Sequence, residues 1–303
     1  MTVTLSSIGL LNRIISTLAV VLCSVLPGAS SPVENFEDLI HSQSDNPNIQ
    51  RLAYTVSIQG IAVARAVFDE VRPAYAGDEW TVRVAAGTTS FWDQFARMYN
   101  IYTTSFTQPD FRPSRYLRQI DQTGRRFDRI EWYGDQRSGF SIPDTMPPIP
   151  ARYLSGGETV EPEIFSVPAG QGNFFSALWY VRYTDWDATL EIILPLWLDG
   201  QRWRVHIRKV GIENRNAPEG RVETWKLTGS LSRNTAVPDT HPQDTENIKS
   251  DHLTSSLMDE DLKLTFWIER SGLHRPITVK TSVGIFSLVG QLRNPFEDEI
   301  LKD

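Results

Sequence analysis

Five histidines, His41, His206, His241, His252 and His274, are the side chains of this chain best suited to hold a transition metal or move a proton near neutral pH. No two of them have the i, i+4 spacing that sets a pair of imidazoles on one helix face. The densest set of potential ligands is His241, Asp244, Glu246, Asp251, His252, Asp259, Glu260 and Asp261, whose oxygens and imidazoles suit a cation held in a folded loop. The polar sequence around them reads instead as a solvated insertion. His206 falls between Val205 and Ile207 in an alternating run, so its ring points away from theirs, toward solvent.

Covalent and acid–base chemistry fare no better. There is no G-x-S-x-G elbow, and Ser176 lies inside a helical stretch, where a hydroxyl commonly bonds back to a carbonyl. A Ser/His/Asp triad could still be assembled from distant residues, since geometry rather than chain order defines it. Asp185 and Asp187, and Glu161 and Glu163, stand two apart and would share one side of a strand, as glycosidase acids do. Acids two apart on an exposed sheet face are the commoner reading. Gly156-Gly157 and the run Ala169 to Asn173 lack the strand-loop-lysine arrangement of a phosphate loop and read as turns. The expectation is a non-enzymatic protein with no metal and no cofactor.

Aromatic side chains are the stronger signal, since the chain holds nine tryptophans. In a β-protein most would be core or cross-strand partners, while some could line a pocket for an acyl chain. The stretch Asn173 to Arg182 gathers them on a helix: Phe174, Leu178 and Val181 fall at i, i+4 and i+7, with Phe175 and Trp179 as a second row. Asn173 can cap its first turn, Gly172 lets the chain bend in, and Arg182 complements the dipole at its end. A short helix that is apolar most of the way round must be covered on several sides. It either fills a concave wall of strands permanently or lids a cavity within one.

The rest of the chain supplies those strands. Leu52 to Ile58 and Ile61 to Glu70 alternate about a Gln59-Gly60 turn, and Thr189 to Leu198 and Gln201 to Val210 flank Asp199-Gly200, both hairpin signals. Further alternating runs are Glu79 to Ala86, Asn100 to Thr107, Pro113 to Gln122, Arg125 to Tyr133, Val222 to Leu231, Asp261 to Glu269, Pro276 to Val283 and Ile285 to Leu292. A short helix is expected between Gly87 and Tyr99. About a dozen strands on short turns imply a mainly β fold: a single antiparallel, strongly curved sheet or open β-barrel with a short apolar helix packed inside.

The expected organisation is a signal peptide over 1–31, a flexible leader over 32–50, a β-barrel-like domain over 51–293 with loop insertions at 141–157 and 232–260, and a charged tail over 294–303. The signal reading rests on Arg13, the apolar stretch Ile14 to Leu26 and a small-residue exit through Ser31; that stretch is short of the roughly 20 residues that span a bilayer. The only cysteine, Cys23, lies within it, so the exported chain would hold no disulfide or thiolate. Net charge −7 and 40% hydrophobic residues describe a globular protein without the basic surplus of a nucleic-acid binder.

Three segments carry a resemblance: Y-T-V-S-I-Q-G-I-A-V-A-R-A (Tyr54 to Ala66), F-S-A-L-W-Y-V-R (Phe175 to Arg182) and L-T-F-W-I-E-R-S-G-L-H-R-P-I-T-V-K (Leu264 to Lys280). They resemble the DUF3108 family of bacterial exported proteins, a domain of unknown function with no established functional residues. The resemblance implies a periplasmic, cell-envelope protein, similar by fold analogy to the open β-barrels of periplasmic lipoprotein carriers. The expected function is binding of a lipid or other apolar ligand in the barrel interior by Phe174, Phe175, Leu178, Trp179 and Val181. The alternative is an envelope assembly or protein-binding factor with a filled barrel, acting through loops and strand edges. Expected partners are a lipid or lipoprotein, or envelope proteins, with no nucleic acid, on a protein close to a membrane but not spanning it once the signal is cleaved.

Overall fold

A computed structural model describes residues 49–72, 79–93, 97–107, 110–122, 125–134, 163–234, 262–283 and 286–293. The chain enters as β1 (Ile49–Ile58), β2 (Ile61–Val71) and β3 (Trp80–Thr88), followed by the short helix α1 (Ser90–Asp93). Strands β4 (Met98–Thr107), β5 (Arg112–Gln122), β6 (Arg125–Tyr133) and β7 (Glu163–Val167) lead to helix α2 (Phe174–Tyr183). Then come β8 (Glu191–Leu198), β9 (Gln201–Ala217), β10 (Gly220–Arg233), β11 (Lys263–Glu269), β12 (Pro276–Val283) and β13 (Phe286–Arg293). All thirteen strands join one sheet in the order β7-β6-β5-β4-β3-β2-β1-β13-β12-β11-β10-β9-β8. The fold is mainly β, a nearly closed, barrel-shaped sheet.

Gln59 and Gly60 have φ of 49° and 85°, and Asp199 and Gly200 have 44° and 80°, the left-handed pair of a tight hairpin whose twist matches its strands. Both expected hairpins form there. Two expectations need correction, one on strand direction and one on the reach of the β9–β10 hairpin. The sheet is not wholly antiparallel: β7 lies parallel to β6, with Arg129 opposite Glu163, as a long connection permits and a hairpin does not. The short helix expected between Gly87 and Tyr99 is α1, with β3 and β4 paired as far as Gly87 and Tyr99 on either side of it. The hairpin β9–β10 stays paired to Ala217 and Gly220, beyond the expected end at Val210, with a bulge where Lys226 and Leu227 lie opposite Gly211 and Lys209, and takes in Ser232 and Arg233 from the expected insertion. Its tip packs Ala217 and Val222 onto Leu52, Tyr54, Ala66, Ile277 and Leu292.

The expected signal peptide, the expected leader up to 48, the expected insertion 141–157, most of that expected at 232–260 and the expected tail lie outside the described residues, as does the cluster from His241 to Asp261. At its near end the leader overlaps β1, which begins at Ile49.

The chain crosses from one end strand, β7, to the other, β8, through α2, and the segment ahead of the helix forms a seam with β8 through the parallel bridge of Gly172 to Leu196. Gly172 stitches this seam by donating to Pro195 O at 2.9 Å and accepting from Trp197 N at 2.8 Å. A β-carbon here would sit 3.2 Å from Ser176 Oγ and 3.3 Å from Pro195 O, so the close approach calls for glycine. The core divides about α2. Ala177 and Val181 join Trp186, Leu196, Trp203, Leu227 and Phe266 on the β8–β11 side. Phe175 and Trp179 join Val82, Tyr102, Phe106 and Phe127 on the β3–β6 side. Each large side chain buried this way contributes about 1.5–3 kcal/mol, so α2 is held by its surroundings.

Candidate functional site

The sequence ahead of α2 secures its first turn. Asn173 Oδ1 accepts from Ser176 N at 2.8 Å, Ser176 Oγ accepts from Asn173 N at 3.0 Å, and Asn173 Nδ2 donates to Thr104 Oγ1 at 2.8 Å. The capping box thus fixes the helix to β4 as well as to itself. The Ser176 hydroxyl also donates to Asn173 O at 3.0 Å, which occupies it structurally rather than as a nucleophile.

The five residues expected to line a cavity separate into two groups. Phe175, Trp179 and Val181 are buried in solid core. The Phe175 ring lies 5.3 Å from Tyr102 and 6.1 Å from Tyr116, and Trp179 stacks 6.1 Å from Phe68. Phe174 and Leu178 are half-buried and pack against both core halves. Beside the helix lies a groove of about 290 Å³ lined by Phe111, Pro113, Ala177, Tyr180, Leu194 and Leu196, among others. It runs between the β4–β5 turn, the α2 face carrying Ala177 and Tyr180, and β8. At its margin Asp110 and Arg112 form an exposed ion pair at 3.1 Å.

Neither Ala177 nor Tyr180 belongs to the two apolar rows expected to matter, although their i, i+3 spacing is the signal that could have found them. Phe111 has no such signal. It is a bulky residue at φ 50°, a conformation costing about 1–3 kcal/mol, and its ring stacks on Tyr183 at 5.5 Å and lies 6.2 Å from Tyr180.

Two buried ion clusters stand where α2 and the seam meet the sheet. Glu70 on β2 accepts from Trp179 Nε1 at 3.0 Å, Arg182 Nη1 at 2.7 Å, Arg72 Nε at 2.9 Å and Tyr183 OH at 3.1 Å. Arg182, expected to serve the helix dipole, is instead fully buried against Glu70 and also donates to the carbonyls of Leu273 and His274. Burial, only partly offset by Arg182, pushes the Tyr183 hydroxyl up to about 12. At the seam, Asp199 Oδ1 accepts from Arg118 at 2.6 Å and Arg129 at 2.7 Å, tying the β8–β9 turn to β5 and β6. Arg118 also meets Glu131 at 2.7 Å, and Arg129 meets Glu163 at 2.9 Å. Burial holds the Glu131 carboxyl above its ordinary range against the pull of Arg118, and Tyr133 donates to it at 2.9 Å. Burial and the Glu131 charge together raise the Tyr133 hydroxyl well above its ordinary value.

Among the described residues the candidate chemistry does not assemble. Asp185 and Asp187 sit in the turn after α2 rather than on a strand, and Asp185 accepts from the amide of Asp187 at 2.9 Å. Glu163 faces Arg129, and Glu161 lies outside the described residues. His206 is half-exposed beside Glu191 at 3.2 Å, and His274 stacks on Trp225 at 5.6 Å. His41, His241 and His252 lie outside the described residues. Among the described residues no group of three or more His, Cys, Asp or Glu is placed to hold a metal, and no helix is long and apolar enough to cross a membrane.

Comparison with known proteins returns little function. No curated protein matches the sequence. Among solved structures the chain is similar to a β-barrel-like protein of the domain of unknown function DUF1849 from Brucella abortus, at 9% identity and a TM-score of 0.44, over 80% of this chain and 95% of that one. It is also similar to the hypothetical lipoprotein YmcC from Escherichia coli, at 10% identity and a TM-score of 0.26, over 89% of this chain and 98% of that one. The family model for proteins of unknown function DUF3108 matches residues 53–291, through all thirteen strands and α2, and the chain belongs to that family.

Proposed function

We propose that this is a non-enzymatic cell-envelope protein that takes one end of an acyl chain, or a similarly slender apolar group, into the groove beside α2 while the centre of the barrel stays filled. The observation that carries this reading is the groove itself, with Phe111, Ala177, Tyr180, Leu194 and Leu196 in its lining, beside the packed rows of Phe175 and Trp179. Its volume of about 290 Å³ stands at the lower end of the range for small-molecule sites. Burying about six methylenes would supply about 5 kcal/mol, a sub-millimolar affinity that needs no catalytic group. The signal-like segment 1–31 supports the location.

The test is displacement of a fluorescent fatty acid, with mass spectrometry of an organic extract of the purified protein. Leu194→Trp, which fills the groove, is expected to weaken binding at least tenfold, whereas Leu178→Trp changes it less than threefold. Tyr180→Ala, which enlarges the groove, serves as a second variant should Leu194→Trp fold poorly, and alters chain-length preference. No lipid in the extract and no binding by the wild type would remove the reading. So would a loss confined to Leu178→Trp.

A second reading, an assembly factor that binds protein, is favoured by the solid packing around Phe175 and Trp179 and by Ile164 and Ile193 standing exposed on the two end strands. An extended peptide added to an end strand would then give the affinity. Crosslinking through Ile164 or Ile193 to an envelope protein, with no fatty-acid binding, would favour it.

A further inference from the structure

The outer wall over β9–β12 has the opposite sign to the chain, whose net charge is −7. Along β9, Trp203, Val205 and Ile207 are buried inside, so Arg204, His206 and Arg208 stand on the outer surface. Register carries that surface across the sheet. Arg208 lies opposite Thr228, Thr228 opposite Thr265, and Thr265 opposite Lys280. In the adjacent row Ile193 lies opposite His206, His206 opposite Ser230, and Ser230 opposite Lys263. Arg204, Arg208, Lys263 and Lys280 are all exposed. With strands about 4.8 Å apart and a rise of about 3.4 Å per residue, the four cations fall within a patch roughly 15 Å on a side.

The carboxylate in these rows is Glu191 at the β8 end, which meets His206 at 3.2 Å and Arg208 at 3.4 Å. Among the described residues Arg204, Lys263 and Lys280 make no ion pair, and the intervening positions are Ser and Thr. A convex barrel wall encloses no single small anion, whereas cations spread over two strand rows can each reach a separate charge on a surface. Beside them Ile193 presents an apolar side chain 61% exposed. We propose that this wall docks on an anionic lipid bilayer, with Arg204, Arg208, Lys263 and Lys280 on headgroup phosphates and Ile193 entering the interface. The inference is separate from the groove and stands or falls without it.

The experiment uses the full chain with Cys23→Ser, carrying either Ser230→Cys on the basic wall or Leu117→Cys on β5 on the far side of the sheet, each labelled with a fluorophore. Vesicles are phosphatidylcholine with or without phosphatidylglycerol, with a headgroup-nitroxide lipid as quencher. Quenching at position 230 but not 117 is expected, only with phosphatidylglycerol and weakening as salt rises. Each of Arg204→Ser, Arg208→Ser, Lys263→Ser and Lys280→Ser is expected to weaken binding about fivefold with unchanged melting temperature. Equal quenching at both positions, equal binding to phosphatidylcholine alone, or a fourfold variant that binds like wild type overturns the proposal. Crosslinking from position 230 to an acidic protein without vesicle quenching overturns it in favour of a protein partner.

Discussion

Glu70 and Glu131 show how the barrel holds carboxylates in its interior. Glu70 is met by four donors, two of them guanidinium groups. Removing one partner from such a buried pair costs about 3–5 kcal/mol, because the other charge is left without compensation. Glu131 is different in that burial outweighs Arg118 and raises its carboxyl. The folded state therefore binds its proton more tightly than the unfolded chain does. Its contribution to stability is present below the ordinary carboxylate value and is lost as pH rises through the raised one. Glu131→Gln removes that dependence while keeping an acceptor for Arg118. Urea melts at pH 4, 5.5 and 7 are expected to show the variant gaining on wild type as pH rises; a constant difference, or one moving the other way, would contradict the assignment. At this scale the local devices were legible: the Asn173 cap and the Gln59-Gly60 and Asp199-Gly200 turns depend on near neighbours. The partners of Arg182 were not, since Glu70 lies 112 residues away and no local pattern encodes the pair.

Helix α2 is the element on which the seam and the groove depend. Its first turn is joined to β4 through Asn173 and Thr104, its last to β2 through Arg182 and Glu70, and the residue before its cap bridges to β8. Asn173→Ala removes the cap and leaves Thr104 Oγ1 without that donor, so a loss of about 1–2 kcal/mol is expected in a denaturant melt. Faster hydrogen exchange at the amide of Trp197, which bonds across the seam, should accompany it. A cost below about 0.3 kcal/mol would mean that the cap is redundant. Period-two alternation made most strands readable. It did not reveal β7, only five residues long and joined in parallel, nor the far half of the β9–β10 hairpin, where exposure of Val210 and Ile212 blurs the apolar pattern. The apolar rows of α2 pointed to core contacts, and the groove fell on the row beside them.

At the scale of the molecule, one sheet curves into a nearly closed barrel with β7 and β8 as its end strands, and the helix that connects them packs within it. The described residues offer the proposed partners the groove beside α2 and the basic outer wall, with the end strands as the edge for an added peptide. Sequence periodicity conveyed the mainly β architecture and the enclosed helix. It could not distinguish a lid from a plug, since both bury the same side chains; that difference lies in how closely the two halves of the core meet α2. The most direct test is a crystal structure with a terminally brominated fatty acid, read by anomalous scattering. The account predicts bromine in the groove between Phe111, Tyr180 and Leu194, with Trp179 still bonded to Glu70. Bromine between the two core halves with α2 displaced, or no ordered bromine at all, would contradict it.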